Sequence, residues 1–246
     1  ATASEANGVS VIWNEEQNRK CALTDARVCP KFALMNPELT YTVPARQTAA
    51  GSLDIFAHAF ERYIVRSQEG VLRDHLCESI MQTVIEELPV VLADPASKEG
   101  RSELMWTATM AHSNMIGFEG DYACHAISHI FTELFGLSHG EALAILMPAW
   151  CCMMSSREPE FMKKFFSHVW HAEGGDDEAL LWDGVKRFYR FISSCGLATT
   201  LKEAGFINVD TDRVTDKVLQ GETQFIGGGF QKLYRQDVKN LIELCL

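Results

Sequence analysis

Five residues in this 246-residue sequence have side chains whose types and spacing can do chemistry together: Asp54, His58, His125, His129 and His139. Asp54 and His58 stand four apart, the spacing that puts two side chains one turn apart on one face of a helix. Their neighbours Leu53, Ile55, Phe56, Ala57 and Phe60 are all apolar, so a carboxylate there requires a cationic partner or a metal. A hydrogen-bonded Asp and His pair satisfies the same spacing, so this pair alone does not decide. His125 and His129 repeat the four-residue step on a second apolar segment, Gly136 ends it, and His139 enters the next helix. Three imidazoles within fifteen positions, beside a helix that carries Asp and His, exceed what packing requires and predict a metal site. One carboxylate with two or three imidazoles suits Zn(II), Fe(II) or another divalent ion of borderline softness, and no thiolate stands at a matching spacing. The spacing leaves open which ion binds. It also leaves open which of His125 and His129 coordinates it and which stands by for proton transfer or substrate binding.

These residues must be held by helices. From Thr48 onward apolar residues recur at three and four: Leu53, Phe56, Ala57, Phe60, Tyr63 and Ile64, then Leu76, Ile80, Val84, Leu88 and Val91. Further helices are expected over 101–117, 121–135, 140–154, 158–170, 178–194, 211–219 and 234–245. Residues 1–45 differ. Short apolar runs at 9–13, 20–23 and 31–35 predict strands at the edge of a sheet, and Pro37 and Pro44 close the region. The expected organisation is therefore a β segment over 1–45 and a mainly α domain over 46–246. Gly174-Gly175 and Gly227-Gly228-Gly229 mark loops.

Composition narrows the function. With 47% hydrophobic and 22% charged residues, the chain is expected to be globular rather than disordered. The formal charge of -11 leaves no basic field for phosphate backbones, which argues against a nucleic-acid partner. The longest apolar run, 142–154, is interrupted by Pro148 and falls short of the roughly 20 residues of a spanning helix, so no membrane span is expected. Eight cysteines without a C-x-x-C pair read as reduced thiols, and the expected location is the cytoplasm. Between residues 102 and 156 there is no Lys or Arg, yet four histidines and five acids fall there, so a bound cation would meet no competitor. Central helices of a large bundle would show the same depletion.

The stretch Asn36-Pro-Glu-Leu-Thr-Tyr-Thr-Val-Pro44, followed by Thr48-Ala-Ala-Gly51, Asp54, His58 and Glu61, resembles the first signature of the iron-containing (group III) alcohol dehydrogenases. His125-x3-His129-x9-His139-Gly140-Glu-Ala142 resembles the second, and Thr2-Ala-Ser-Glu5 resembles that family's Thr-Gly-Ser-Glu loop. Within the family the sequence is most similar to the butanol dehydrogenase and NADPH-dependent aldehyde reductase branch. The resemblance implies the helical metal-binding domain of the dehydroquinate synthase-like, iron-containing alcohol dehydrogenase fold. It implies Asp54, His58, His125 and His139 as ligands of Fe2+ or Zn2+, with His129 unligated, near the nicotinamide and relaying the proton. Thr2, Ser4 and His129 are then the cofactor contacts, the cofactor is NADP or NAD, the substrate is a small alcohol or aldehyde, and the assembly is a homodimer. The implied reaction is hydride transfer between NAD(P)H and a carbonyl polarised by the metal. Asn36 stands where the family usually has Asp, Ala3 replaces a usual Gly and narrows the cofactor approach, and Phe131 and Glu133 are larger than usual.

Family members also carry an N-terminal dinucleotide-binding α/β domain with a Gly-Gly-Gly-Ser loop, and the resemblance implies that residues 1–45 are a short β remnant of it. Gly227-Gly228-Gly229 lacks the preceding strand and following helix of a pyrophosphate site. The chain is therefore expected to be the C-terminal part of a longer enzyme, able to hold metal but not to turn over alone. A noncatalytic metal-binding or interaction module is the alternative. A phosphohydrolase would need an adjacent His-Asp doublet, and a di-iron bundle would need Glu-x-x-His pairs; the sequence has neither. Trp106, Phe118, Trp150 and Phe230 are candidates for an apolar pocket, or simply for core.

Overall fold

The computed structural model of the chain describes residues 2–14, 16, 19–68, 70–117, 119–220 and 224–246, and Phe118 lies outside them. Among the described residues the fold is mainly α. The helices are α1 (Ala45–Tyr63), α2 (Val71–Ala93), α3 (Lys98–His112), α4 (Ala123–Phe135), α5 (His139–Arg157), α6 (Pro159–Trp170), α7 (Asp177–Ser194), α8 (Thr211–Val218) and α9 (Arg235–Leu244). Each expected helix is present, with ends moved by a few residues. The largest move is in α3, which stops at His112 because Ser113 turns extended and its hydroxyl accepts from the amide of Met115.

The N-terminal region departs from expectation. Strands β1 (Val9–Asn14) and β2 (Arg19–Thr24) pair antiparallel, from Val9 opposite Thr24 to Asn14 opposite Arg19. The expected third strand at 31–35 is irregular chain instead, with Phe32 and Leu34 largely exposed. An apolar run without a partner edge has no ladder to join, and its backbone turns at Asn36, whose side chain accepts from the Glu38 amide at 3.0 Å. The glycine triplet also has a structure that the loop expectation missed. Strands β3 (Phe225–Gly227) and β4 (Lys232–Tyr234) form a short hairpin around it.

The core centres on α1 and α5. From Thr48 to Tyr63, α1 is buried at all but one position, and it packs on α2, α3 and α5. Helix α5 is buried almost continuously from Gly140 to Met154, which is the pattern of a helix apolar on all sides and surrounded by others. It runs through Pro148 without ending. Phe60 meets Trp150 edge-on at 5.4 Å and Phe165 at 4.9 Å, while Phe56 meets Phe188 at 5.2 Å. Of the pocket candidates, Trp150 and Phe230 are core neighbours at 5.6 Å, and Trp106 is half exposed on α3. Among the described residues no helix is long and apolar enough to cross a membrane.

The α1 and α5 axes approach closely at Gly140, where an added Cβ would stand 1.9 Å from the Ala50 carbonyl oxygen. No rotamer can relieve a clash with backbone, so α5 must move away from α1. Gly140→Ala is therefore expected to lower stability by about 1–3 kcal/mol, as overpacking does, measured by urea unfolding. An unchanged midpoint would contradict this account of the contact.

Candidate metal centre

Helix α1 presents Asp54, His58 and Glu61 at steps of four and three, all on one face. His125 projects from the first turn of α4, and His139 is the first residue of α5. Ser138 caps α5 in a reciprocal box with Glu141, which fixes where His139 begins. Three rigid helices thus bring these five side chains to one corner.

The geometry is that of a donor set. Asp54 Oδ1 lies 3.6 Å from His125 Nε2 and 3.5 Å from His139 Nε2. Donor atoms of Asp54, His58 and His125 all lie within 4.8 Å of one another. A four-coordinate ion with arms of about 2.0–2.2 Å separates neighbouring donors by about 3.3–3.6 Å. Asp54 Oδ1 and His125 Nε2 are both buried without a hydrogen-bond partner. An ordinary buried Asp and His cluster would have closed to hydrogen-bond distance; this one holds its polar atoms apart, as an ion requires.

Each imidazole is fixed through its other nitrogen. His139 Nδ1 is 2.9 Å from Ser128 Oγ, whose own proton goes to the His125 carbonyl at 2.7 Å. The hydroxyl can therefore only accept from His139, which leaves Nε2 with the lone pair. His125 Nδ1 is held by the Glu61 carboxylate, whose other oxygen accepts from the Cys124 amide at 2.8 Å. His58 Nδ1 is 2.8 Å from the Asp54 carbonyl oxygen, and donation to it leaves Nε2 with the lone pair. Backing of this kind by carboxylate, hydroxyl or carbonyl is what orients metal-binding histidines.

Charge follows the same design. Burial opposes ionisation of Asp54, but the positive fields of the adjacent His125, His58 and His139 hold its carboxyl well below the usual range. Burial pushes His58 well below the ordinary imidazole value, aided by the charges of His125, His112 and Arg62 and opposed by Asp54. For His125 burial pulls down, but the Glu61 and Asp54 carboxylates prevail and raise it to about 9.

Other expected residues lie elsewhere. His129, one turn past His125, is exposed and stacks on His139 at 5.1 Å, outside the donor group. Thr2 and Ser4 are exposed, with their hydroxyls 2.9 Å apart, in a turn whose Ala3 adopts φ +46°, in the left-handed region that favours glycine. Phe131 is core, and Glu133 pairs with Lys217 on the surface.

Sequence reasoning gave no role to Glu61 or Asp121. Glu61 is 1% exposed and clamps His125; its position seven after Asp54 was the available signal. Asp121 accepts from the amides of Gly228 at 3.0 Å, Phe230 at 2.9 Å and Ala123 at 3.3 Å, and so ties the glycine hairpin to the start of α4. Gly228, at φ +118°, supplies the turn that aims its amide there.

Residues 48–246 match the Fe-containing alcohol dehydrogenase family, C-terminal. The chain is 32% identical to the probable NADH-dependent butanol dehydrogenase 1 of Bacillus subtilis, over 100% of this chain and 64% of that protein. It is 33% identical to the NADPH-dependent aldehyde reductase YqhD of Escherichia coli, over 83% of this chain and 54% of the relative. Its fold superposes on the substrate- and cofactor-free crystal form of that reductase with a TM-score of 0.91 at 26% identity, covering 99% of this chain and 64% of the other. The NADH-dependent butanol dehydrogenase A of Thermotoga maritima gives 0.89 at 28%, covering 100% and 63%. The chain thus spans under two thirds of the length of these relatives.

A metal can take the His125 Nε2 lone pair only after the proton leaves. Below about pH 9 His125 is protonated in the metal-free chain, so binding of Zn2+ at pH 7.5 is expected to release about one proton from it. Affinity should rise with pH up to about 9 and then level off. The sign for the metal-free fold is opposite. The folded value lies above the unfolded one of about 6.5, so the stabilisation His125 contributes is complete below about 6.5 and is lost as pH rises through about 9. Calorimetry in buffers of different ionisation enthalpy measures the released proton, and binding without release would refute the assignment.

Proposed function

Because this chain belongs to the Fe-containing alcohol dehydrogenase family, we propose that it is the metal-holding part of an NAD(P)-dependent alcohol dehydrogenase or aldehyde reductase. Asp54, His58, His125 and His139 are the proposed ligands of one divalent ion, Fe2+ or Zn2+. The observation that carries this reading is the buried, unpartnered Asp54 Oδ1 with the Nε2 atoms of His139 and His125 at 3.5 and 3.6 Å. When bound, the ion supplies Lewis acidity: it polarises the carbonyl of a small aldehyde and stabilises the alkoxide formed on hydride transfer.

The chain's own residues do the rest. Asp54 brings the negative charge that offsets part of the cation's, and the three imidazoles, neutral when ligating, leave the site electrophilic. Glu61 and Ser128 keep two of those rings aimed. His129, exposed and stacked beside His139, is the proposed proton relay, directly or through water. Thr2 and Ser4 are proposed contacts of the NAD(P) cofactor. Thr2 lines a groove of about 440 Å³ whose walls are mainly apolar, with Glu5, Thr48, Ser52 and Arg101 as polar groups among them. The groove runs along the α1 face formed by Thr48, Gly51, Ser52 and Ile55, next to the face that carries Asp54. A homodimer acting in the cytoplasm on small alcohols and aldehydes completes the proposal.

A second reading, a noncatalytic metal-binding module, is favoured by one observation. Both sheets among the described residues are two-stranded, so these residues offer no parallel sheet for a dinucleotide crevice. Turnover is accordingly assigned to a polypeptide that also carries a dinucleotide-binding domain, and the 246-residue chain alone is expected to bind metal without reducing aldehydes.

Metal analysis tests this directly. The purified chain should take up about one divalent ion, and Asp54→Asn should abolish stoichiometric loading; wild-type protein without affinity for Fe2+ or Zn2+ would end the proposal. In the longer polypeptide His129→Ala should keep its metal and lose about 10²–10⁴-fold in turnover, whereas loss of metal would make His129 a ligand. NADPH should not bind the 246-residue chain, and micromolar affinity would refute the need for a further domain.

A further inference from the structure

The last turn of α3 brings to the metal centre a residue with no assigned role. The ring of His112 lies 3.9 Å from that of His58, centroid to centroid, with the planes inclined by 35°. This is closer than the 4.7 Å between His58 and His125. His112 stands outside the group whose donors lie within 4.8 Å of one another. What brings it to the centre is the packing of its ring against that of His58.

The backbone that carries His112 is pinned from the N-terminal turn. The side-chain amide of Asn7 donates to the His112 carbonyl at 3.1 Å and to the Thr2 carbonyl at 2.8 Å, while its oxygen accepts from the Val9 amide at 3.0 Å. One turn earlier on α3, the Thr109 hydroxyl donates to the Glu5 carboxylate. Asn7 is 7% exposed, so these bonds meet little competition from water. The turn from Thr2 to Asn7 is thus fastened to the end of α3, and the last residue of α3 lies against a candidate ligand.

We propose that His112 is a positioning residue for the metal centre: its ring backs His58, and the Asn7 bracket sets the height of that ring. The proposal rests on the metal-centre reading above. His58 is held by one hydrogen bond at Nδ1, to the Asp54 carbonyl, and a flat ring tied at one point can still swing about it. A second flat ring against its face removes that freedom, so that the lone pair at Nε2 keeps one direction. Through Asn7, the aim of His58 depends on the Thr2–Asn7 turn being seated. The turn with the proposed cofactor contacts and the metal centre are thereby mechanically linked.

Titration of the 246-residue chain with Co2+, followed by calorimetry and by the visible absorption of the bound ion, tests the link. His112→Phe keeps a flat ring and should retain affinity within about twofold and leave the absorption bands in place. His112→Ala should weaken binding by about 10–100-fold, as loss of ligand support does, and shift the bands. Asn7→Ala should shift them in the same direction by a smaller amount, and it carries the test if His112→Ala folds poorly. Wild-type affinity and bands in His112→Ala would overturn the proposal. Equal losses in His112→Phe and His112→Ala would also overturn it, because the ring nitrogens would then be what matters. An unchanged Asn7→Ala would remove the link to the turn. Failure of the wild-type chain to bind Co2+ would instead sink the metal centre itself.

Discussion

A carboxylate oxygen buried without a hydrogen-bond donor is the constraint around which this structure is arranged. Ionised and isolated, Asp54 would cost on the order of several kcal/mol in desolvation, so a fold that keeps it must supply positive charge at the same point. The Nε2 atoms of His125 and His139 face Asp54 Oδ1 at 3.6 and 3.5 Å, outside ordinary hydrogen-bond distance. The protein holds them at the separation an ion would impose. The raised pKa of His125 shows the same balance from another side, since in the metal-free chain a proton on that ring partly takes the place of a cation.

Rigidity is what allows such spacing to persist. All four candidate ligands sit on helices rather than loops, and α1, the helix that carries two of them, is buried over nearly its whole length. The contact at Gly140 brings α5 against the backbone of α1 and sets how far His139 stands from Asp54. Around that frame, Glu61, Ser128 and the Asp54 carbonyl each engage one nitrogen of a ring and leave the other for coordination. Asp121 extends the scheme outward by joining the glycine hairpin to the start of α4, next to His125. Small errors in any of these supports would reach the centre, because interiors are close-packed and pass displacement on.

The two faces of α1 divide the labour. Asp54, His58 and Glu61 face the centre, while Thr48, Gly51, Ser52 and Ile55 line the groove that begins at the Thr2–Asn7 turn. One helix thus borders both the side-chain cluster and the groove. The backbone cost of Ala3 in a left-handed conformation and the three hydrogen bonds of Asn7 mark this turn as tightly specified.

Much of this was legible in the sequence, for a local reason. Helical period places Asp54 with His58 and His125 with His129 without any knowledge of the fold, and a run of apolar neighbours announces that the acid must be neutralised. The helices themselves followed from the same period, while the absence of Lys and Arg over 102–156 was a matter of composition. What the sequence did not hold was any relation between helices. That His125 and His139 aim at Asp54 while His129 turns outward, that Glu61 rather than water holds His125, and that His112 stacks on His58 all depend on how α1, α3, α4 and α5 cross. Those crossings are decided by side-chain packing among residues far apart in the chain, which no local spacing encodes. The missing third strand has the same cause: a strand exists only where tertiary structure supplies an edge to pair with.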